Sequence, residues 1–122
     1  MHLTARELDV MAVLWRRGSA TVAEVLAQLD ENLAYTTVLT VLRGLEAKGA
    51  VRHQQEGKAH RYLPRIRPSS IGDRSVRRLL DKVYRGSREL LIARLVSDRD
   101  VTPEELKRIR RMLDERLREV NR

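Results

Sequence analysis

Nonpolar residues recur every three to four positions in three stretches of the N-terminal half, and this period predicts three short amphipathic helices. The predicted buried stripes are Leu8, Met11, Ala12 and Trp15; Val22, Val25, Leu26 and Leu29; and Val38, Val41, Leu42 and Leu45. Each set follows the i, i+3, i+4, i+7 spacing of one helix face. The N-terminal half is therefore predicted to be mainly helical.

The ends of these helices are marked by capping residues. Thr4 with Glu7, and Thr21 with Glu24, have the spacing of a capping box, and Gly18 suits the left-handed end of the first helix. A short polar connection, 30–34, leads to the third helix, which is predicted over 35–49. Two short helices joined by a brief link and preceded by a third predict a helix-turn-helix.

The third helix carries hydroxyl and basic side chains opposite its nonpolar stripe. The residues on that face are Thr36, Thr37, Thr40, Arg43 and, one turn further on, Lys48. A face of this kind suits the DNA major groove, where Thr and Arg can contact base edges. A helix whose polar face only meets water is the alternative, and Thr36 also has a competing role as the helix cap.

The period changes to two after Gly49, which predicts a β-hairpin over 51–63 with its turn at 56–58. Val51, Tyr62 and Leu63 are expected to pack back on the helices. Lys58, His60 and Arg61 are expected to project near the tip. A basic hairpin that follows a recognition-type helix is typical of a wing along the phosphate backbone, and the alternative is a plain exposed hairpin.

Pro64 and Pro68 flank a predicted linker, 65–70, and mark a domain boundary. The interpretation is a winged helix-turn-helix DNA-binding domain over 1–64 and a helical region over 65–122. Three more helical stripes follow, and the last begins with the cap Thr102. The fold class is thus mainly α with a small β-hairpin.

About 58 residues in three helices rarely bury enough nonpolar surface to be stable alone. We therefore expect this region to pair with its copy in a second chain, which gives a two-fold homodimer. The residues expected at that interface are Leu79, Leu80, Val83, Leu91, Leu95, Leu106, Ile109, Leu113 and Leu117. Such a dimer also suits a pseudo-palindromic DNA site.

The charge of the chain agrees with a polyanionic partner, but it is unevenly placed. The 122 residues carry a net charge of +8. Residues 1–64 hold 8 Lys and Arg against 7 Asp and Glu, while residues 65–122 hold 17 against 10. The Arg-rich stretch after the hairpin can add phosphate contacts, or the surplus can serve solubility.

Several functional classes find no support in the sequence. The chain has no cysteine, which excludes disulfides and thiol catalysis. It has no glycine-rich phosphate loop and no nucleophile beside a base, so no enzymatic activity and no cofactor are expected. His53 and His60 can approach each other, but two ligands are too few for a zinc site. No long apolar run or signal segment occurs, and a cytoplasmic protein without a membrane partner is expected.

Several segments carry a resemblance to a known family. LTARELDVMAVLWRRGSATVAEV, AYTTVLTVLRGLEAKGAV and GKAHRYLP resemble the penicillinase repressor family (BlaI/MecI/CopY type), and KVYRGS and VTPEEL resemble its C-terminal half more loosely. The resemblance implies a winged-helix repressor that binds operator DNA as a homodimer through its C-terminal helices. It also implies DNA contacts from Thr36, Thr37, Thr40 and Arg43 and, in the wing, from Lys58 and Arg61.

The sequence departs from the family in two places. The copper-responsive branch has C-terminal cysteine pairs, which this chain lacks, so copper sensing is not supported. Members that control β-lactamase genes are inactivated when a membrane sensor-protease cuts the dimerisation region. By the same resemblance the matching bond would fall near Arg94–Leu95, whose residues differ from the typical Asn–Phe pair, so the sequence does not support a sensor-protease partner.

A winged-helix module that binds protein or RNA, rather than duplex DNA, is the alternative function. Protein docking favours a nonpolar anchor on the exposed face of the third helix. Leu39 is the only candidate for such an anchor, and Thr and Arg dominate around it.

Overall fold

A computed structural model describes residues 1–29 and 32–122 and has the predicted fold class, six helices with a small antiparallel sheet. The elements in chain order are α1 (Ala5–Arg17), β1 (Ala20–Thr21), α2 (Val22–Gln28), α3 (Tyr35–Ala47), β2 (Val51–Glu56), β3 (Ala59–Pro64), α4 (Pro68–Lys82), α5 (Arg88–Val96) and α6 (Pro103–Val120). The first two residues of the predicted connection 30–34 lie outside the described part of the chain.

The chain divides into two compact units, an N-terminal unit (residues 1–75) and a C-terminal unit (residues 76–122). The division falls within α4 rather than directly after Pro64. The predicted linker 65–70 is too long, because α4 already begins at Pro68. Proline suits the first position of a helix, where its missing N–H would have no intrahelical partner.

The three-residue connection before α4 is held by hydrogen bonds to the N-terminal unit. The backbone N–H of Arg65 donates to the carbonyl of Ala50 over 2.9 Å. Trp15 is half-buried at the edge of the core, and its indole N–H donates to the carbonyl of Ile66 over 2.9 Å. The single tryptophan therefore both fills the core edge and fixes the path of the chain after the hairpin.

The core of the N-terminal unit lies between α1, α2, α3 and the sheet. Its buried nonpolar residues are Val10, Met11, Val13, Leu14, Ala20, Val22, Val25, Val38, Leu42, Leu45, Ala50, Val51 and Tyr62. The predicted stripes of α2 and α3 lie on this core, with Leu26, Leu29 and Val41 partly buried at its margin. Leu63 is half-buried on β3.

The predicted stripe of α1 is wrong in part. Leu8 is 41% exposed, whereas Val10, Val13 and Leu14 are buried together with Met11. Residues 10–15 are all nonpolar, so that two overlapping stripes are available to this helix. Packing against α3 and β3 selects the stripe that the local spacing did not single out.

The sheet has a third strand that the sequence did not reveal. β1 consists of only two residues and pairs antiparallel with β3, with Ala20 opposite Tyr62, and the strand order is β1-β3-β2. The hairpin pairs in register, with His53 opposite Tyr62 and Glu56 opposite Ala59. The short strand joins the hairpin to the start of α2.

Both predicted capping boxes form, and one of them reaches another helix. Glu7 is buried at the third position of α1, where its Oε1 accepts from the backbone N–H of Thr4 over 2.9 Å. The same oxygen lies 2.6 Å from Nζ of Lys48, which also donates to the carbonyl of His2 over 3.2 Å. This ion pair connects the start of α1 to the end of α3.

Burial and hydrogen bonding shift the pKa of the Glu7 carboxyl in opposite directions. Burial alone raises the pKa of the Glu7 carboxyl, but the hydrogen bonds from Lys48 and Thr4 outweigh burial and hold this pKa below its ordinary value of 4.5. Glu7 is therefore ionised at neutral pH and stabilises the fold in that form.

We expect Glu7→Gln to lower the free energy of unfolding at pH 7 by about 1–3 kcal/mol, since it removes the negative charge of the group that accepts from Lys48 and Thr4. A carboxyl whose pKa is depressed by folding stabilises the protein above its unfolded pKa, and this contribution is lost as the pH falls through the folded value. The difference between wild type and variant should therefore shrink below pH 4.5.

Urea unfolding of both proteins at several pH values measures this difference. Asp9→Asn, an exposed carboxylate of the same helix, is the control and should change the stability by less than about 0.5 kcal/mol. A Glu7→Gln variant as stable as wild type at pH 7 would show that the Lys48 pair contributes nothing.

Candidate nucleic-acid interface

The packing of α3 decides which of its side chains face outward. Val38, Leu42 and Leu45 are buried, so one side of the helix is held against the core. The side chains left on the exposed side are Thr36, Thr37, Thr40 and Arg43, together with Tyr35 at the first helical position. The polar face is therefore presented to the surroundings along about two helical turns.

The hydroxyl groups of this face have few internal partners. Thr36 does not cap the helix, because the N-cap position is Ala34 and no side-chain cap bond forms there. The Thr40 hydroxyl donates to the carbonyl of Thr36 over 2.9 Å, which leaves its oxygen able to accept. The structure gives Thr37 no side-chain hydrogen bond among the described residues.

Tyr35 is an exposed aromatic side chain that the sequence interpretation did not include in the site. Its exposed fraction is 51%, and it stands beside Thr36 at the start of α3. The feature of the sequence that could have identified Tyr35 as a site residue is its position directly before Thr36 and Thr37. A phenol hydroxyl at this place can donate to a phosphate oxygen.

The nonpolar anchor that protein docking would need is not offered by Leu39. This side chain is half-buried and packs against the core of the N-terminal unit. The face of α3 therefore presents hydroxyl, phenol and guanidinium groups rather than a hydrophobic contact.

The end of α3 is tied to the hairpin through a histidine pair. His53 Nδ1 lies 2.6 Å from one carboxylate oxygen of Glu46 and 2.8 Å from the other. The rings of His53 and His60 stack with their centroids 4.3 Å apart, as the paired strands suggested. His60 is half-buried by this stacking.

Tyr62 is buried next to His53. Its ring centroid lies 5.6 Å from that of His53. Burial raises the pKa of the Tyr62 hydroxyl, and the charge of Glu46 raises it further against the opposing effect of Arg43. The Tyr62 hydroxyl is therefore neutral at pH 7.

The turn of the hairpin carries one free cation. Gly57 has a φ of +60°, which suits glycine in a tight turn, and Lys58 follows it at the exposed tip. Lys58 makes no ion pair within the described part of the protein. It can therefore meet a phosphate without breaking an internal contact.

Two cations predicted for DNA contact have internal carboxylate partners. Lys48 pairs with Glu7, as described above. Arg61 does not project freely from the tip, contrary to the expectation, because its guanidinium bonds Glu56 and Ser19 and lies 3.0 Å from a carboxylate oxygen of Glu24. Local spacing along the chain carries no signal of these long-range pairs.

The C-terminal unit carries the predicted dimerisation residues. Leu79, Val83, Leu95, Leu106, Leu113 and Leu117 are exposed in the single chain, whereas Leu91 and Ile109 are half-buried. Leu80 is buried within its own chain, so that it is not available as an interface residue. It is the one buried side chain of residues 76–122.

Residues 1–29 and 32–122 contain neither a membrane-spanning helix nor a cluster of metal-binding side chains. No helix in these ranges has the length and nonpolar character that crossing a membrane requires. No group of three or more His, Cys, Asp and Glu side chains in the same ranges is placed to bind a metal ion.

The sequence pattern of the penicillinase repressor family matches residues 3–115. The chain belongs to this family. The penicillinase repressor of Bacillus licheniformis is 28% identical over 116 residues, which cover 93% of this chain and 91% of that protein. The transcriptional regulator BlaI of Mycobacterium tuberculosis (strain CDC 1551 / Oshkosh) is 44% identical over 61 residues, 48% of this chain and 44% of that protein.

A solved structure supports the same assignment for the N-terminal part of this penicillinase repressor family member. The solution structure of the DNA-binding domain of the repressor BlaI superposes with a TM-score of 0.51 at 34% sequence identity. The match covers 56% of this chain and 85% of that domain. The winged-helix fold predicted from the sequence is thereby confirmed.

Proposed function

We propose that this protein represses transcription as a homodimer whose two α3 helices enter the major grooves of a pseudo-palindromic operator. As a member of its family with a winged helix-turn-helix, it is a DNA-binding transcriptional repressor. The family is one of repressors rather than enzymes, and no cofactor enters the proposal. The observation that carries the proposal is the exposed hydroxyl and guanidinium face of α3.

The chemistry of that face suits base recognition. The major groove admits an α-helix, in which Arg can bind guanine and Thr can contact several base edges. We assign the base contacts to Thr36, Thr37, Thr40 and Arg43. Arg43 makes no ion pair within the described residues, and its guanidinium is available for this role.

The hairpin suits the sugar–phosphate backbone. Lys58 at its tip is an exposed ammonium, and His60 lies on the strand that follows. Contacts of this kind fix the position of a protein on the duplex without selecting a sequence. Lys48 and Arg61 pair with carboxylates, so the proposal does not depend on direct phosphate contacts from them.

The homodimer rests on the nonpolar surface of the C-terminal unit. Leu113 and Leu117 on α6 are 49% and 59% exposed in the single chain, and they share a stripe with Leu106, Ile109 and Val120. Each large nonpolar side chain that becomes buried contributes about 1.5–3 kcal/mol. A second copy supplies the same stripe, so a two-fold interface can cover both surfaces at once.

The alternative function, binding of protein or RNA, is not favoured. The relatives are repressors, and the matching structure is a DNA-binding domain. Leu39 is also turned towards the core rather than outward.

A repressor acts where its operator is, and we propose a cytoplasmic location.

A sensor-protease partner is not part of the proposal. The Arg94–Leu95 bond lies within α5, whose backbone is helical from Arg88 to Val96. A protease needs an extended backbone, so this segment would have to unfold locally before cleavage.

We expect Thr40→Ala and Arg43→Ala to weaken binding to the operator more than binding to random DNA, by about 1–3 kcal/mol where a base edge is lost. Lys58→Ala should weaken both alike, because a phosphate contact is independent of sequence. Gel shifts with the promoter region of its own gene and with a random duplex, each at two salt concentrations, measure these effects.

The control is the salt dependence of the wild type, whose affinity for duplex DNA should fall steeply with added salt if several phosphates are contacted. Equal losses on operator and random DNA for all three variants would contradict the division between base and phosphate contacts. Tight RNA binding without any DNA shift would support the alternative function.

We expect Leu113→Asp to convert the dimer into a monomer, because it places a charge in the nonpolar stripe of α6. Arg111→Asp on the polar side of the same helix is the control and should leave the dimer intact. Light scattering at several protein concentrations measures the mass. A dimeric Leu113→Asp protein would exclude the proposed interface.

A further inference from the structure

We propose that Arg61 is a positioning residue that fastens the hairpin to the N-terminal cap of α2 and so sets where Lys58 meets the DNA backbone. The inference deepens the proposed function and rests on it for its DNA readout. It reverses the role that the family resemblance implied for Arg61, a direct contact to DNA.

The guanidinium of Arg61 is almost fully used within the protein. Its Nε and Nη2 donate to the two carboxylate oxygens of Glu56 over 3.0 and 2.9 Å. Nη2 also lies 3.0 Å from Glu24 Oε1, and Nη1 donates to the Ser19 hydroxyl over 3.2 Å. Since a guanidinium has five N–H groups in a fixed fork, no paired set of donors is left for a phosphate.

In α2, Arg61 is held by Glu24, whose carboxylate is itself fixed by other hydrogen bonds. Glu24 completes the capping box of α2, where its Oε1 accepts from the backbone N–H of Thr21 over 2.9 Å. Its Oε2 accepts from Arg17 over 2.6 Å. The Thr21 hydrogen bond lowers the pKa of Glu24 against the effect of burial, and the charges of Arg61 and Arg17 lower it further.

In the hairpin, Arg61 is held by Glu56, which lies next to the turn. Glu56 is the last residue of β2 and directly precedes Gly57 and Lys58. Arg61 therefore spans from the cap of α2 to the residue before the tip. The backbone pairing of β1 with β3 ends with Thr21 opposite Arg61, so the Arg61 side chain extends the attachment of the hairpin from that pair towards the turn.

The expected effect on stability is small, which separates this role from that of a core residue. Ion pairs as exposed as these contribute little to the stability of the fold, since the carboxylates of Glu56 and Glu24 are 53% and 32% exposed. A misplaced hairpin tip, in contrast, loses its phosphate contact directly. The effect should therefore appear in DNA binding rather than in folding.

Glu24→Gln tests the inference without touching a cation. Glutamine still completes a capping box, so the cap of α2 is kept while the charge that holds Arg61 is lost. On charge alone, loss of a negative group from a DNA-binding protein should strengthen binding. If Arg61 positions the hairpin, Glu24→Gln should instead weaken operator binding about threefold to tenfold.

Arg61→Lys completes the test, because lysine keeps the positive charge but lacks the planar guanidinium that bonds Glu56, Glu24 and Ser19 together. The positioning role predicts a loss similar to that of Glu24→Gln and a double variant no weaker than either single one. A direct phosphate contact predicts near-normal binding by Arg61→Lys and unchanged or tighter binding by Glu24→Gln. The second pattern would overturn the inference.

A measurement on the free protein separates this inference from the proposed function. Amide resonances of Gly57 and Lys58 should shift in both Glu24→Gln and Arg61→Lys, whereas those of the α1 interior should not. Wild-type protein that fails to bind duplex DNA would refute the proposed function alone. Hairpin resonances that stay in place in both variants would refute the positioning role alone.

Discussion

One-sided burial of α3 is the constraint on which the rest of the structure depends. Val38, Leu42 and Leu45 are packed against α1, α2 and the sheet, so the helix cannot rotate without exposing nonpolar surface. Three such side chains contribute several kcal/mol together, at about 1.5–3 kcal/mol each. The outward direction of Thr36, Thr37, Thr40 and Arg43 follows from this packing rather than from any contact of their own.

Charged side chains then fix the positions of the helix ends and the hairpin, which the core packing alone does not determine. Glu7 holds the end of α3 through Lys48, Glu46 holds β2 through His53, and Glu24 holds β3 through Arg61. Each pair links elements that are distant in sequence. Arg43 on α3 and Lys58 at the hairpin tip make no ion pair within the described residues, so both are available for nucleic acid.

The sequence predicted elements well where local spacing determines them, and less well where distant residues decide. The capping boxes at Thr4 and Thr21, the outward face of α3 and the hairpin turn all follow from local rules. The choice between two stripes on α1, the two-residue β1 and the internal pairs of Lys48 and Arg61 depend on tertiary contacts. The predicted linker 65–70 extends past Pro68, where α4 begins, because proline is suited both to a linker and to the first position of a helix.

Chemical-shift mapping tests the central claim most directly. The ¹⁵N-labelled full-length protein would be titrated with a duplex chosen by footprinting the promoter of its own gene. The account predicts that the largest shifts fall on Thr36, Thr37, Thr40 and Arg43, with a second group at Gly57 and Lys58. Shifts confined to α5 and α6, with the exposed face of α3 unperturbed, would contradict it.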